Sequence, residues 1–447
     1  MESKPGAVSA QPRPLMAVQD GIALVVGMVV GAGIFKAPSI VAGSVSGSLE
    51  FVLVWVAGGI ASLCGALVYA ELSGRFPETG GEYRYLSRAY GPGTAFVFAW
   101  ARITVIQTGA IAAVAFVLGD YAQQILPLGA NGSAIYAALG VIALTALNLA
   151  GTPQSKALQT AMSALLVVAL AAIALLGLFA PAPPAGGAAQ AAGAGSLGLA
   201  MIFVLLTYGG WNEAAYIAGE VHDPHRNMIR ILVGGILAIT VLYLLVNLGY
   251  LSALGLAGMR ESKAVAADAV RQVTGAATAV AVALVVCVAS LTTMNAAIIT
   301  GARTSYAFGR DFRMFGLLGR WRESGSTPAN ALLLQAALAL ALVLAGSLTP
   351  DGFSAMVAYT APVFWMFFLL CGAALFVFRA RDGAPKGFRS PLYPAVPLVF
   401  CAVCAYMLYS SIEYVRNPVY GPKFGAAVIG GLIVLAVGIP LYRRARR

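Results

Sequence analysis

Residues 27–38 read GMVVGAGIFKAP, and residues 206–216 read LTYGGWNEAAY. Each stretch places closely spaced glycines inside an apolar segment that is long enough to cross a membrane. In hydrocarbon every backbone N–H and C=O group must be hydrogen-bonded, so residues that weaken a helix at mid-membrane depth are tolerated mainly where they line an enclosed cavity. The two stretches therefore predict two broken membrane helices that line a cavity.

The composition of the whole chain agrees with a membrane location. Of its 447 residues 60% are hydrophobic and 10% are charged, and the mean hydropathy is +0.84. Ordinary soluble domains carry about 25% charged residues. The sequence therefore predicts an all-α polytopic membrane protein with twelve transmembrane helices, which we place near 20–43, 51–73, 94–124, 134–150, 157–179, 197–219, 230–256, 276–302, 329–347, 354–378, 393–412 and 424–442.

The spacing of the spans indicates an internal repeat. The number of residues between Gly31 and Gly209 is nearly the same as the number between the two spans that directly follow these glycines. A repeat of five helices is odd in number, so its second copy would enter the membrane from the opposite side. We expect a cytoplasmic tail at 1–19, a first five-helix repeat at 20–179 and an external loop at 180–196. A second five-helix repeat follows at 197–378, and helices 11 and 12 with a basic cytoplasmic tail occupy 379–447.

The net charge of +11 is explained by membrane topology. With twelve spans both termini lie on one face, and the loops and tails of that face hold 21 of the 28 Lys and Arg residues. Cytoplasmic loops carry such an excess of basic residues. This distribution predicts cytoplasmic termini and a location in the cell inner (plasma) membrane, and it argues against a nucleic-acid partner.

Interrupted spans at corresponding places in two repeats are the best sequence pointer to the binding site of a secondary transporter. Backbone amides freed at the start of a half-helix can hold a carboxylate, and freed carbonyls can hold an ammonium group. This pairing suits a free amino acid. At the first break we expect the amides of Ala32, Gly33 and Ile34 to be the donors, although close helix packing at Gly27 and Gly31 is an alternative.

The second break adds polar and aromatic groups deep in a span. We expect Tyr208, Gly209, Trp211 and Asn212 to contribute to the substrate site. Glu213 is a candidate for proton coupling because intramembrane ionisable residues are costly and usually functional. The alternative for Asn212 and Glu213 is an interhelical hydrogen-bonding role.

Other buried polar positions give weaker signals. Arg102 is more readily explained by pairing with a carboxylate than by substrate contact, Asn295 is a candidate for coupling or gating, and Tyr359 is a candidate gate or a packing residue. The sequence contains no HExxH, GxSxG or nucleotide-binding loop, which argues against an enzyme and a primary pump, and we expect no cofactor or metal. No cysteine lies in a loop, so no disulfide-linked partner subunit is expected.

Five stretches together resemble the amino acid–polyamine–organocation superfamily, particularly the L-type amino acid transporter branch and its bacterial relatives. They are GMVVGAGIFKAP at 27–38, YAELSGRFPETGGEYRYLSRAYGP at 69–92, YGGWNEAAYIAGEVHDPHRN at 208–227, GARTSYAFGRD at 301–311 and PLYP at 391–394. The resemblance covers nearly the whole chain. It implies a leucine-transporter-type fold, in which helices 1 and 6 are broken within 5+5 inverted repeats and two further helices follow.

The resemblance also implies roles for individual positions. The substrate carboxylate would meet the amides of Ala32, Gly33 and Ile34, and the amino group would meet the carbonyls of Val29 and Leu206, with Gly209 adjacent. Two positions depart from the family pattern. Leu206 stands where relatives often carry a gating aromatic residue, and Leu166 stands where many relatives carry a helix-5 lysine implicated in the transport cycle.

We therefore expect a secondary active transporter that moves amino acids across the inner membrane by alternating access, and we favour neutral L-amino acids as its substrates. Proton symport and amino acid exchange both remain open, and sodium coupling is less favoured. The partners expected are an amino acid substrate, the lipid bilayer and protons if symport operates. One alternative is a carrier of amines or polyamines, and another is a membrane amino acid receptor that does not transport.

Overall fold

The computed structural model describes residues 17–76, 81–151, 156–180, 197–322, 327–385, 387–417 and 420–445. Within these ranges the chain forms sixteen α-helices in the order α1 Val18–Val29, α2 Ala37–Ser44, α3 Ser48–Arg75, α4 Gly81–Tyr90, α5 Pro92–Ala101, α6 Gln107–Ala122, α7 Gly132–Leu149, α8 Lys156–Leu178, α9 Leu197–Thr207, α10 Pro224–Glu261, α11 Val265–Thr274, α12 Ala276–Asp311, α13 Ala329–Ser347, α14 Gly352–Asp382, α15 Ala395–Glu413 and α16 Gly421–Ala445. The expected external loop at 180–196 lies almost wholly outside the described residues.

Nine helices in the described part of the chain are long and apolar enough to cross a membrane. Three shorter apolar helices lie at Val18–Val29, Ala164–Leu178 and Leu197–Thr207. Large aliphatic side chains on the outer faces of α3 and α7 are exposed, for example Ile60 and Leu139. Exposed aliphatic faces of this kind suit a lipid environment, so the polytopic membrane architecture predicted from the composition is confirmed.

The two predicted breaks are present. Helix α1 ends at Val29, a short 3₁₀ segment occupies Ala32–Phe35, and α2 then begins with Pro38 in its first turn, where proline is tolerated. Helix α9 ends at Thr207, and after Gly210 the chain continues as a 3₁₀ segment, Trp211–Glu220, rather than as an α-helix.

The third span contains an irregularity that the sequence analysis did not predict. Helices α5 and α6 are joined by a π-helical turn, Arg102–Ile106, into one helix that runs from Pro92 to Ala122. Such turns are uncommon and are often found at functional sites. Arg102 opens this turn and is 6% exposed. The π turn therefore coincides with the buried charge that the sequence analysis had singled out.

The breaks lie in the middle of one continuous core. Helix α10 packs against α3, α8 and α1, and α6 packs against α7, α12 and α14. The segments at both breaks contribute to the same core cluster, including Val29, Ile34, Phe35 and Tyr208, all of which are almost fully buried. Helix α11 packs against α10 and α12.

Candidate functional site

The two breaks are in direct contact. Gly210 has a φ of +109°, a conformation that side chains rarely adopt. A Cβ atom placed on Gly210 would lie 2.7 Å from the backbone oxygen of Met28. The second break can therefore approach the end of α1 only because this position has no side chain. The structure brings together the two stretches that the sequence analysis selected independently.

Glycines at the first break face threonines on two other helices. A Cβ atom on Gly33 would lie 3.4 Å from the hydroxyl oxygen of Thr207, at the end of α9. A Cβ atom on Gly31 would lie 3.6 Å from the methyl group of Thr293, on α12. The space at this break is therefore bordered by hydroxyl-bearing side chains. The sequence analysis did not single out Thr207.

The amides expected to bind a carboxylate lie in the 3₁₀ segment. Ala32, Gly33 and Ile34 are its first three residues, and the first N–H groups of such a segment have no partner within it. Gly31 precedes them in an extended conformation. This local geometry suits the expected donors, and their role in binding a carboxylate stays a prediction.

The carbonyls expected to meet an amino group already accept hydrogen bonds. The hydroxyl group of Tyr243 lies 2.9 Å from the Val29 oxygen and 3.2 Å from the Thr207 oxygen, while the Leu206 oxygen accepts from the Gly209 amide at 3.0 Å. Because a carbonyl oxygen has two lone pairs, each can accept a second donor. Tyr243 was missed by the sequence analysis; its only signal there is that a buried tyrosine hydroxyl usually needs a partner.

A cluster of charges surrounds Arg102, ten residues after the third span begins at Pro92. Arg102 donates from Nη2 to both carboxylate oxygens of Glu213 at 2.9 Å, and its Nη1 lies 3.5 Å from Glu82. Glu82 also accepts hydrogen bonds from Asn212 and Tyr69, each at 3.0 Å. We call Arg102, Glu82 and Glu213 the Arg102 cluster. It gives Asn212 and Glu213 the interhelical bonds that the sequence analysis had considered as the alternative, and it pairs Arg102 with carboxylates as expected.

A second cluster lies near the C-terminal end of the same span. The ammonium group of Lys36 is 2.6 Å from Asp120 and 3.2 Å from Asp351, and Lys36 is only 3% exposed. Asp120 also accepts a hydrogen bond from Ser133 at 2.7 Å. We call Lys36, Asp120 and Asp351 the Lys36 cluster. The partners of Lys36 lie at the ends of two other helices and were not predicted from the sequence.

Two aromatic residues expected in the site are buried in packing. The hydroxyl of Tyr208 donates to the Trp55 oxygen at 3.2 Å, and the ring of Trp211 packs edge-on against Tyr69 with centroids 5.1 Å apart. Both residues are at most 3% exposed. Their contribution to substrate binding stays a prediction, and their visible role is to hold the second break against α3.

Three further candidates lie around this centre. The side chain of Asn295 on α12 accepts from Asn148 on α7, Tyr359 on α14 donates to the Thr104 oxygen at 3.1 Å, and Leu166 on α8 belongs to the apolar core. These contacts join helices to one another. A coupling or gating role for Asn295, Tyr359 and Leu166 stays a prediction.

Comparison with known proteins identifies the family. A family model described as amino acid permease matches residues 19–435. The chain is 28% identical over 404 residues to the b(0,+)-type amino acid transporter 1 of Mus musculus (88% of this chain, 81% of that protein), and 26% identical over 398 residues to the serine/threonine exchanger SteT of Bacillus subtilis strain 168 (88% and 89%). It is 24% identical over 452 residues to the cystine/glutamate transporter of Homo sapiens (98% and 86%).

All three relatives are amino acid transporters by name, and none is an enzyme. The match to the family model includes both breaks and both charge clusters. The resemblance inferred from the sequence motifs is thereby confirmed. The chain belongs to the amino acid permease family, within the amino acid–polyamine–organocation superfamily.

Proposed function

We propose that this amino acid transporter moves neutral L-amino acids by alternating access around the two breaks. The direct contact between the breaks, made at Gly210, is the observation that carries the proposal. The contact supports the proposal because a zwitterion needs backbone N–H donors and carbonyl acceptors close together, and the two broken helices meet there.

In the proposed site the substrate carboxylate binds the amides of Ala32, Gly33 and Ile34. The amino group binds the carbonyls of Val29 and Leu206, with Gly209 beside them. A neutral side chain is favoured because Lys36 and Arg102, the basic residues nearest the breaks, are each paired with carboxylates. An acidic substrate side chain would have to displace one of these carboxylates.

We further propose twelve spans, with α1 and α2 together forming the first and α9 with the following 3₁₀ segment forming the sixth. The basic loops then face the cytoplasm, as do both termini, and the protein lies in the inner membrane. In this orientation the Arg102 cluster lies toward the cytoplasm and the Lys36 cluster toward the outside.

For energy coupling we favour amino acid exchange. The relative SteT is named an exchanger. Glu213, the candidate proton carrier, is engaged by Arg102 through both of its oxygens, and a leucine stands at position 166 in place of the lysine common in relatives. Proton symport through Glu213 is the second candidate, because the side chain of Glu213 is 36% exposed within the bundle.

The test is uptake of a mixture of radiolabelled neutral amino acids into proteoliposomes, with and without internal amino acids and with and without an inward proton gradient. Exchange predicts stimulation by internal amino acids alone. Stimulation by the proton gradient alone would establish symport instead. If no neutral amino acid is taken up, uptake of amines without a carboxylate would support an amine carrier, and binding without flux would support a receptor.

A further inference from the structure

The two charge clusters have the same arrangement of charges. Each holds a single basic residue between two carboxylates that come from different parts of the chain. Arg102 and Asp120 both belong to the continuous third span, and at 1.5 Å per residue they lie about 27 Å apart along it. The clusters are therefore separated by nearly the thickness of the hydrocarbon core. The breaks lie between them.

The Lys36 cluster ties together the elements that close one end of the bundle. Lys36 directly precedes α2, Asp120 lies in the last turn of α6, and Asp351 precedes α14. Next to Asp120, the hydroxyl of Tyr121 donates to the Phe35 oxygen at 2.8 Å and accepts from the Ala266 amide of α11 at 3.2 Å. Four elements thus meet over the first break.

The Arg102 cluster likewise ties together separate elements, on the other side of the breaks. It joins the third span to α4 through Glu82 and to the segment after the second break through Glu213. Asn212 adds a neutral bond to Glu82 from that same segment. The two half-helices that follow the breaks, one at each end, are thus each held to the third span by ion pairs.

Ion pairs are suited to contacts that must form and break. In a closed, dry end, separating the charges would leave uncompensated buried ions, at a cost of several kcal/mol. When the end opens, water solvates the separated charges and removes most of that cost. An apolar contact would gain nothing from the entering water. A buried ion pair can therefore be stable when the path is shut and tolerable when it is open, so that the two states differ little in free energy.

We propose that the Lys36 cluster is the outer lock and the Arg102 cluster the inner lock of the transport cycle, and that each must be intact while the path on the opposite side is open. Lys36 and Arg102 act as positioning residues, since they hold half-helices rather than the substrate. This inference rests on the proposed alternating-access function.

The experiment measures access to the space between the breaks from each face. Thr207→Cys places a thiol beside Gly33, and a membrane-impermeant maleimide is added to either face of oriented vesicles. In this background Lys36→Met is expected to raise the labelling rate from the outside about tenfold and to lower it from the cytoplasmic face. A tenfold change corresponds to about 1.4 kcal/mol between the two states. Glu213→Gln is expected to produce the opposite asymmetry.

Three controls separate a lock from general loosening. Lys36→Arg keeps the charge and is expected to retain the wild-type labelling pattern. Arg416→Gln removes an exposed charge that pairs with Glu413, three residues earlier at the end of α15, and it is expected to change nothing. The chain without the Thr207→Cys change measures the background from its five native cysteines.

Asp351→Asn is a second variant of the outer cluster, to be used if Lys36→Met does not fold. Asparagine can still cap α14, because it can accept the hydrogen bond that Asp351 accepts from the Ser354 amide. It is expected to show the same increase in labelling from the outside, reduced in size.

Unchanged labelling in both outer variants, or an equal increase from both faces, would overturn the proposal. Amino acid flux in the wild type with no labelling bias in the variants would reject the locks alone. A labelling bias without amino acid flux would reject the proposed substrate and leave the locks in place.

Discussion

At the scale of single residues, Gly33 gives the sharpest test of the binding site. Its Cβ position is 3.4–3.5 Å from Thr207, an ordinary contact distance, so Gly33→Ala is expected to fold and to retain most binding. Gly33→Val adds two methyl groups that crowd Thr207 and the proposed carboxylate position. Overpacking costs about 1–3 kcal/mol, so substrate affinity is expected to fall at least about fivefold. Equilibrium binding of a radiolabelled substrate in detergent measures it; wild-type affinity in Gly33→Val would remove this break from the site.

Tyr243 is one of the residues that the sequence analysis missed, and its hydroxyl group can be tested alone. Tyr243→Phe removes the donor to the Val29 oxygen and is expected to weaken substrate binding by about fivefold, the worth of one hydrogen bond of about 1 kcal/mol. Tyr250→Phe is the matched control on the same helix, because the buried Tyr250 hydroxyl has no hydrogen-bond partner among the described residues. Equal losses in the two variants would mean that the hydroxyl at Tyr243 does not position the carbonyl.

At the scale of elements, the contact between the two broken helices depends on Gly210. Gly210→Ala combines a positive φ with a Cβ atom 2.7 Å from the Met28 oxygen, so the second break has to move away from α1. We expect a large loss of both substrate affinity and thermal stability. Gly129→Ala is the control: Gly129 also has a positive φ, +81°, but nothing lies within 4 Å of its Cβ position. It carries the backbone strain alone, about 1 kcal/mol.

Comparable loss of substrate affinity in Gly129→Ala and Gly210→Ala would show that backbone strain, and not contact between the breaks, causes the effect. A thermal shift assay on the purified variants separates loss of folding from loss of binding. Substrate affinity retained in Gly210→Ala would mean that the broken helices need not touch.

At the scale of the whole molecule, the parts that could be predicted from the sequence are those that depend on local pattern. The breaks follow from Gly31, Gly33, Gly209 and Gly210 in apolar runs, and the buried pairing of Arg102 follows from the cost of an isolated charge in a span. The partners of Lys36 could not be predicted, because Asp120 and Asp351 lie at helix ends whose approach depends on how the bundle packs. The π turn at Arg102 and the 3₁₀ form after Gly210 likewise depend on packing.

The whole bundle also contains an ion pair away from the breaks, and it should behave differently from the proposed locks. Glu71 on α3 is fully buried and accepts from Arg379 on α14 at 2.6 and 2.7 Å and from the Ser390 amide at 2.7 Å. Glu71→Gln leaves Arg379 without a charged partner, and breaking a buried pair costs about 3–5 kcal/mol. We expect the melting temperature to fall by about 5–10 °C.

This loss should come without a change in sidedness, because the pair fastens two long helices and touches neither half-helix after the breaks. Labelling of the Thr207→Cys reporter should therefore keep its wild-type ratio between the two faces in Glu71→Gln. Asp382→Asn is the comparison, since its side chain is 41% exposed and pairs of that kind contribute about 0–1 kcal/mol. A shifted labelling ratio in Glu71→Gln would mean that α3 and α14 move apart during transport, and that this pair is a third gate rather than a fixed clamp.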